Sequence, residues 1–221
     1  MSEPACCTAA TAVWHRESVN VSYLPVYYRP VSTGANSSKS NACLRLSVDF
    51  YWHGGGDGTQ EQHIALAVEA LMAALKKRPH RLWSPFNERY TRTEFRKRLE
   101  KAARGELQPP GEIKSLRAGD TLFEIRWTGI NVHERQPTGS ERHTTAEVRL
   151  IHAQPYDELG LCVLGLHAHE KEIIDGDAQA TKRLQDDQID LAEQLFSSGR
   201  STCWGVQRRS QHRSKLPTRT P

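Results

Sequence analysis

Between Ser115 and Lys171 the chain carries three strand-like runs, each apolar with charged or titratable side chains set into it. They are Leu122–Trp127 (LFEIRW), Ala146–His152 (AEVRLIH) and Cys162–His169 (CVLGLHAH), with Lys171 following closely. Successive strand residues point to opposite sides, so residues two apart share a face. Arg126 therefore shares a face with Glu124, Arg149 with Glu147 and Ile151, and His169 with His167 and Lys171. If the three strands are neighbours in one sheet, these cations and imidazoles converge on one surface. Such a surface suits a phosphodiester: it offers positive charge and a group able to move a proton.

The flanking segments predict helices around this sheet. Leu44–Trp52 alternates apolar and polar residues and reads as a further strand. Gly54-Gly55-Gly56 follows; three glycines can form an anion nest, but the Lys-Ser/Thr ending of a phosphate-binding loop is missing, and a turn is expected. A helix is predicted over residues 60–77, with Ile64, Leu66, Ala67, Leu71, Ala74 and Leu75 near helical spacing and Pro79 ending it. A second is predicted over 90–104, opened by Thr91 with Glu94 three residues on. Its apolar stripe is Phe95, Leu99 and Ala102 or Ala103. A short strand is expected over 113–116, a long loop over 129–145, and a hairpin connection over 155–160. A closing helix is expected over 184–196, with Leu184, Gln188, Leu191, Ala192, Leu195 and Phe196 along one side. The fold class is α+β: a compact, mainly antiparallel sheet packed by N-terminal helices and a C-terminal helix. One domain is expected over 44–200. Residues 1–43, with a β-prone run at 19–31 and a polar linker at 32–41, are expected to be poorly ordered, and 201–221 to form a basic disordered tail.

Charge is distributed unevenly. The net charge is only +4, yet residues 76–104 hold eleven basic residues against Glu88, Glu94 and Glu100. Arg92, Arg96, Lys97, Arg98, Lys101 and Arg104 all fall on the outer face of the predicted second helix. Basic blocks attract polyanions; a solvated helix face is the plain alternative. The five cysteines show no C-x-x-C spacing, which argues against a disulfide framework or zinc knuckle. His167 and His169 would present two imidazoles on one face, but a site needs a third ligand and the sequence offers only scattered candidates, His133, His143 and His152, so neither a metal nor another cofactor is expected. No signal-peptide pattern and no apolar run of about 18 residues occurs, which predicts a soluble, cytoplasmic chain without a membrane partner.

No nucleophile elbow, triad order or dinucleotide fingerprint is present. Metal-free RNA cleavage remains: the ribose 2′-hydroxyl is the nucleophile, and Arg, Lys and His suffice to take its proton, stabilise the pentavalent phosphate and protonate the leaving oxygen. Glu124 and Arg126 can equally brace the sheet as an ion pair, and Glu147 can offset the desolvation of Arg149. Alternatively Arg126 and Arg149 hold a phosphate between their forked guanidiniums.

The order of these elements over residues 80–200 resembles the RelE/HigB-like toxin superfamily, small ribonucleases of toxin–antitoxin modules, with the phage-derived HigB-type branch closest. The resemblance rests on Leu122–Arg126, the Arg149 strand, the strand end His167–Lys171, and the helix containing Gln188-Ile189-Asp190-Leu191-Ala192. Glu172 stands where that family often has a second lysine, and the first 80 residues have no counterpart. The resemblance implies a toxin that cleaves mRNA, in association with the ribosome, and is neutralised by a cognate antitoxin. On this reading Arg126 and Arg149 stabilise the transition state, and His169 and Lys171 transfer protons. Arg96, Lys97, Lys101 and Lys114 position the RNA backbone. The alternative is a non-catalytic nucleic-acid- or partner-binding protein using the same surface.

Overall fold

A computed structural model describes residues 40–116 and 121–208, which form an α+β fold built on one six-stranded, mostly antiparallel sheet. In chain order the elements are β1 (Asp49–Trp52), α1 (Gln60–Lys76), β2 (Arg81–Leu82), α2 (Pro85–Ala103) and β3 (Ile113–Leu116). They continue with β4 (Leu122–Arg135), β5 (Glu141–Ala153), α3 (Tyr156–Leu159), β6 (Cys162–Glu170) and α4 (Ala178–Gly199). The strand order is β1-β6-β5-β4-β2, with β3 also paired to β4. Only β1 and β6 run parallel. The run at 19–31 and the residues beyond 208 lie outside the described part.

Period-two alternation gives the sheet two different faces. Phe123, Ile125, Trp127, Val148, Leu150 and Val163 join Ile64, Leu71, Leu75, Phe95 and Leu99 of α1 and α2 in one apolar cluster. Leu122, Ile151, Leu164 and Leu166 face the other way, against Ala192, Ile189 and Phe196 of α4. The charged residues of the three diagnostic strands therefore lie on the α4 side.

Several boundaries differ from the sequence-based expectation. The stretch 129–145 is no long loop: β4 and β5 run through it to a short turn closed by Gln136 N–H donating to Ser140 O at 2.7 Å. A bulge between Trp127 and Ile130, with Gly129 at φ +76°, resets the alternation so that both flanking apolar residues are buried. The predicted strand over 44–52 shrinks to Asp49–Trp52. The second helix starts at Pro85, capped by Ser84, whose hydroxyl accepts from Asn87 N–H; proline suits that first-turn position. Thr91, expected as the cap, is instead buried inside the helix. α4 extends well beyond 184–196 and starts at the Asp177 cap. Its expected stripe is rotated: Leu191 is exposed, and Ala192 is the helix's one buried residue.

After α4 the chain does not go straight into a tail. Arg200–Gly205 forms a 3-10 segment in which Trp204 stacks on Phe196 at 5.2 Å and donates its Nε1–H to Phe196 O at 2.8 Å. Gly54 and Gly56 donate their N–H groups to Trp204 O and Gly205 O, at 2.7 and 2.8 Å, and Gly55 donates to Trp52 O. All three amides are thus occupied, and the triple glycine is a turn rather than an anion nest. Gly55 also lies against the ring of buried His63, which accepts from Trp52 N–H through Nδ1. At the opposite edge, Arg81 clamps three elements. Its guanidinium donates to Glu170 at 2.6 and 2.7 Å, to Glu134 at 3.1 Å and to Leu75 O at 3.1 Å.

Two consequences are measurable. A Cβ at position 55 would overlap His63 Nδ1 and Trp52 O, so Gly55→Ala is expected to cost about 1–3 kcal/mol in urea denaturation. His152 is fully buried and stacked on Phe123, and burial pushes its imidazole down to about 4, a backbone hydrogen bond at Ala153 opposing. The unfolded chain therefore binds a proton that the folded chain refuses. Stability is complete above about pH 6.5 and falls as pH drops towards 4, by up to about 3 kcal/mol for this group. Replacing it by His152→Phe is expected to flatten that acid limb in urea midpoints measured between pH 7 and 4.5.

Candidate functional site

The sheet brings the sequence-predicted residues together in one row. In the β4–β5–β6 register Arg126 lies opposite Arg149, and Arg149 opposite His169. Directly beyond β6, Lys171 N–H donates to Glu147 O at 2.8 Å, which carries the row one step further.

Arg149 is the centre of this row and is only 2% exposed. Its Nη2 donates to Glu147 at 2.6 Å, and its Nη1 lies 3.6 Å from Glu124. Nε and Nη1 are buried without a hydrogen-bond partner among the described residues. Burial presses the guanidinium below its ordinary value, Glu124 opposes that, Arg126 reinforces it, and Glu147 opposes it again. Arg126 pairs with the same Glu124 at 3.2 Å and donates from Nη1 to Pro110 O at 3.2 Å. Lys171 Nζ sits 3.3 Å from Glu147. Two carboxylates thus hold three cations, which is the bracing arrangement and an unfilled donor set at once.

His169 is 7% exposed, with Nδ1 buried and unpartnered. Burial, then the neighbouring His167, Arg149 and Lys77, push it down to about 3. It is therefore a neutral imidazole at pH 7, able to accept a proton. His167 stacks beside it at 5.6 Å and bonds Gln188 Oε1 of α4 at 2.8 Å. Burial lowers His167 as well, with the Gln188 bond opposing. Beyond it His53 is lowered by burial and by His167.

α4 lies over this row and leaves two clefts beneath it. One, of about 280 Å³, is lined by Lys114, Glu124, Arg149, His169, Lys182 and Asp186 among others. The other, of about 160 Å³, is lined by Lys77, Arg78, Lys171, Leu184 and Gln188. His169 and Gln185 line both. Lys77, Lys182 and Gln185 were not singled out from the sequence. Lys182 and the first turn of α4 precede the residues where helical periodicity becomes visible, and the signal that locates them is the Asp177 cap.

The cations expected to position RNA fall into two groups. Lys114 lines the larger cleft. Arg96, Lys97 and Lys101 belong to α2, whose buried face packs on the opposite side of the sheet. Each has a carboxylate partner: Arg96 with Glu61 and Glu100, Lys97 with Glu94 at 3.2 Å, Lys101 with Glu112 at 2.6 Å. Arg92 and Arg98 are likewise satisfied, by Glu69 and Glu88 and by the Arg126 carbonyl and Glu112. By contrast Lys77, Lys114 and Lys182, around the clefts, form no ion pair among the described residues. Among those residues no three His, Cys, Asp or Glu side chains are arranged to hold a metal ion, and no helix is long and apolar enough to cross a membrane.

The electrostatics of the row can be read directly by NMR. The imidazoles of His152 and His169 are expected to keep neutral-form chemical shifts from pH 8 down to 5. Protonation of His169 near pH 6.5 would contradict its burial among cations.

Comparison of the chain with family models, with curated proteins and with solved structures found no match.

Proposed function

We propose that the chain is a metal-independent endoribonuclease acting in the cleft between the sheet and α4. The observation that supports this reading is the in-register row Arg126–Arg149–His169, whose central guanidinium and imidazole keep buried, unpartnered nitrogens at a cleft. Buried polar atoms without partners cost free energy, and a phosphate oxygen supplies what these lack. In the proposed reaction His169 takes the proton of the ribose 2′-hydroxyl. The 2′-oxygen attacks phosphorus and the P–O5′ bond breaks. Lys171 gives its proton to the leaving 5′-oxygen, and a 2′,3′-cyclic phosphate remains. Arg126 and Arg149 bind the phosphoryl oxygens as charge builds on them. The bound phosphate also moves His169 back up from about 3, because a neighbouring anion favours the imidazolium.

The element order of two helices, a mainly antiparallel sheet and a closing helix is also the order that carries the resemblance to RelE/HigB-like toxins. The finer proposal follows from it: a toxin acting on mRNA, ribosome-associated, and neutralised by an antitoxin. A second reading has its own observation. Arg126, Arg149 and Lys171 are each already paired with a carboxylate, a balance that also suits a module that binds nucleic acid or a partner protein without turnover.

Tightly induced expression in a bacterial host is expected to arrest growth, with loss of full-length mRNA, for the wild type and not for Arg149→Ala. With purified protein, Arg149→Ala and Arg126→Ala are each expected to lower RNA cleavage roughly 100-fold or more, with circular dichroism confirming that both variants fold. Cleavage is expected to survive a chelator and to fail on a 2′-deoxy substrate. Folded wild-type protein that leaves RNA intact, with and without ribosomes, would count for the binding module.

A further inference from the structure

Two clefts meet at a single pair of side chains. His169 and Gln185 line both of them, so together they form the wall between the 160 Å³ and 280 Å³ spaces under α4. Lys77, Arg78 and Lys171 stand in one cleft, Lys114, Arg149 and Lys182 in the other. Three of these six, Lys77, Lys114 and Lys182, form no ion pair among the described residues, whereas every described cation of α2 except Arg89 has a carboxylate or carbonyl partner. Carboxylates line the clefts too, Glu170 and Glu172 in one and Glu124 and Asp186 in the other, and the three lysines are the cleft cations that none of them pairs with, whereas α2 leaves only Arg89 over.

We infer that the two clefts are halves of one passage for a single-stranded polyanion, with Gln185 as the side chain that sets its bore. The inference rests on reading the cleft as a nucleic-acid site and narrows that site's substrate class to single strands. The two clefts hold about 160 and 280 Å³, space of the order of single nucleotides and far too little for a duplex. The residues of α4 from Lys182 to Ile189 span about 10 Å at 1.5 Å per residue. The clefts lie on the two flanks of that span, Leu184 and Gln188 facing one and Lys182, Asp186 and Ile189 the other, so a strand crossing beneath α4 meets Lys77 on one side of His169 and Lys114 and Lys182 on the other. Contacts of this kind follow charge and backbone and carry no base sequence. Gln185 is half-buried with no hydrogen bond among the described residues, and His167 holds α4 in place through Gln188. Gln185 is thus free to act as a gate without being needed for packing.

The test uses the full chain and two fluorescent 2′-deoxy probes, a single strand of about six nucleotides and a longer hairpin whose stem is a duplex of about six base pairs, with affinity read by anisotropy. Wild type is expected to bind the single strand at least tenfold more tightly than the duplex. Gln185→Ala is expected to tighten single-strand binding about threefold or more, and Gln185→Trp to weaken it at least tenfold, with unchanged circular dichroism. Lys77→Ala and Lys182→Ala, on opposite sides of the wall, are each expected to reduce the salt slope by about 1. Equal affinity for strand and duplex, or Gln185 variants within twofold of wild type, would overturn the inference. The probe has no 2′-hydroxyl and cannot be cleaved, so the two readings separate. Expected binding without RNA turnover overturns the nuclease and leaves the passage standing; turnover indifferent to Gln185 overturns the passage alone.

Discussion

A guanidinium placed in the middle of a sheet must be answered by negative charge, and Arg149 is such a group. It is 2% exposed, and the desolvation of an isolated cation at that depth would exceed what one strand's packing contributes. Glu147 on its own strand and Glu124 on β4 provide the answer, and each carboxylate also holds a second cation, Lys171 or Arg126. The sheet's register, the orientation of the row and the charge on the α4 face all follow from this arrangement. Slipping β4 by one residue would send Glu124 into the apolar layer under α2 and leave Arg149 half-compensated. The charged row thus enforces register on one face while Phe123, Ile125 and Trp127 enforce it on the other.

The compensation is incomplete, and the proposed reading of the row as a site rests on that incompleteness. Arg149 Nε and His169 Nδ1 remain buried without partners, beside lysines that no carboxylate neutralises. A purely structural network of this depth would be expected to close its hydrogen bonds. From the helix above, Gln188 Oε1 accepts from His167 Nε2, and a few apolar contacts follow further along.

Much of this was legible in the sequence wherever period two was uninterrupted. LFEIRW and AEVRLIH assign their strands by unbroken alternation, and CVLGLHAH reads as a strand although a register shift at Leu166 breaks its period; alternation with the assumption that the strands are neighbours places Arg126, Arg149 and His169 on a common face. Legibility ended where geometry departs from a simple period. The bulge at Thr128–Gly129 shifts the register between Trp127 and Ile130, so the outer half of the hairpin, rich in polar residues, reads as loop. A two-residue strand such as Arg81–Leu82 has no period at all. Thr91 and Glu94 carry a capping-box spacing inside a helix, and Ser84-Pro85, the true start, is the better signal in hindsight because proline excludes itself from later turns. Charge was the hardest to read. A count of basic residues favours α2, but Glu61, Glu69 and Glu112, distant in sequence, neutralise much of its face. Only the folded chain shows which cations are left over.

The way α4 is fastened has a wider meaning. Its far end is locked: Ala192 is buried, and Trp204 folds back beneath Phe196 while tying into the glycine turn after β1. Its first half holds no fully buried residue. The helix is therefore a cantilever, clamped at one end and free to vary at the other. Side chains along the free arm face the clefts, yet contribute little to the core. Cleft lining and core packing are thereby carried by different stretches of one helix. A lineage can rewrite residues 178–187, and with them the shape of the clefts, while Gln188 and the sheet beneath keep the helix in place.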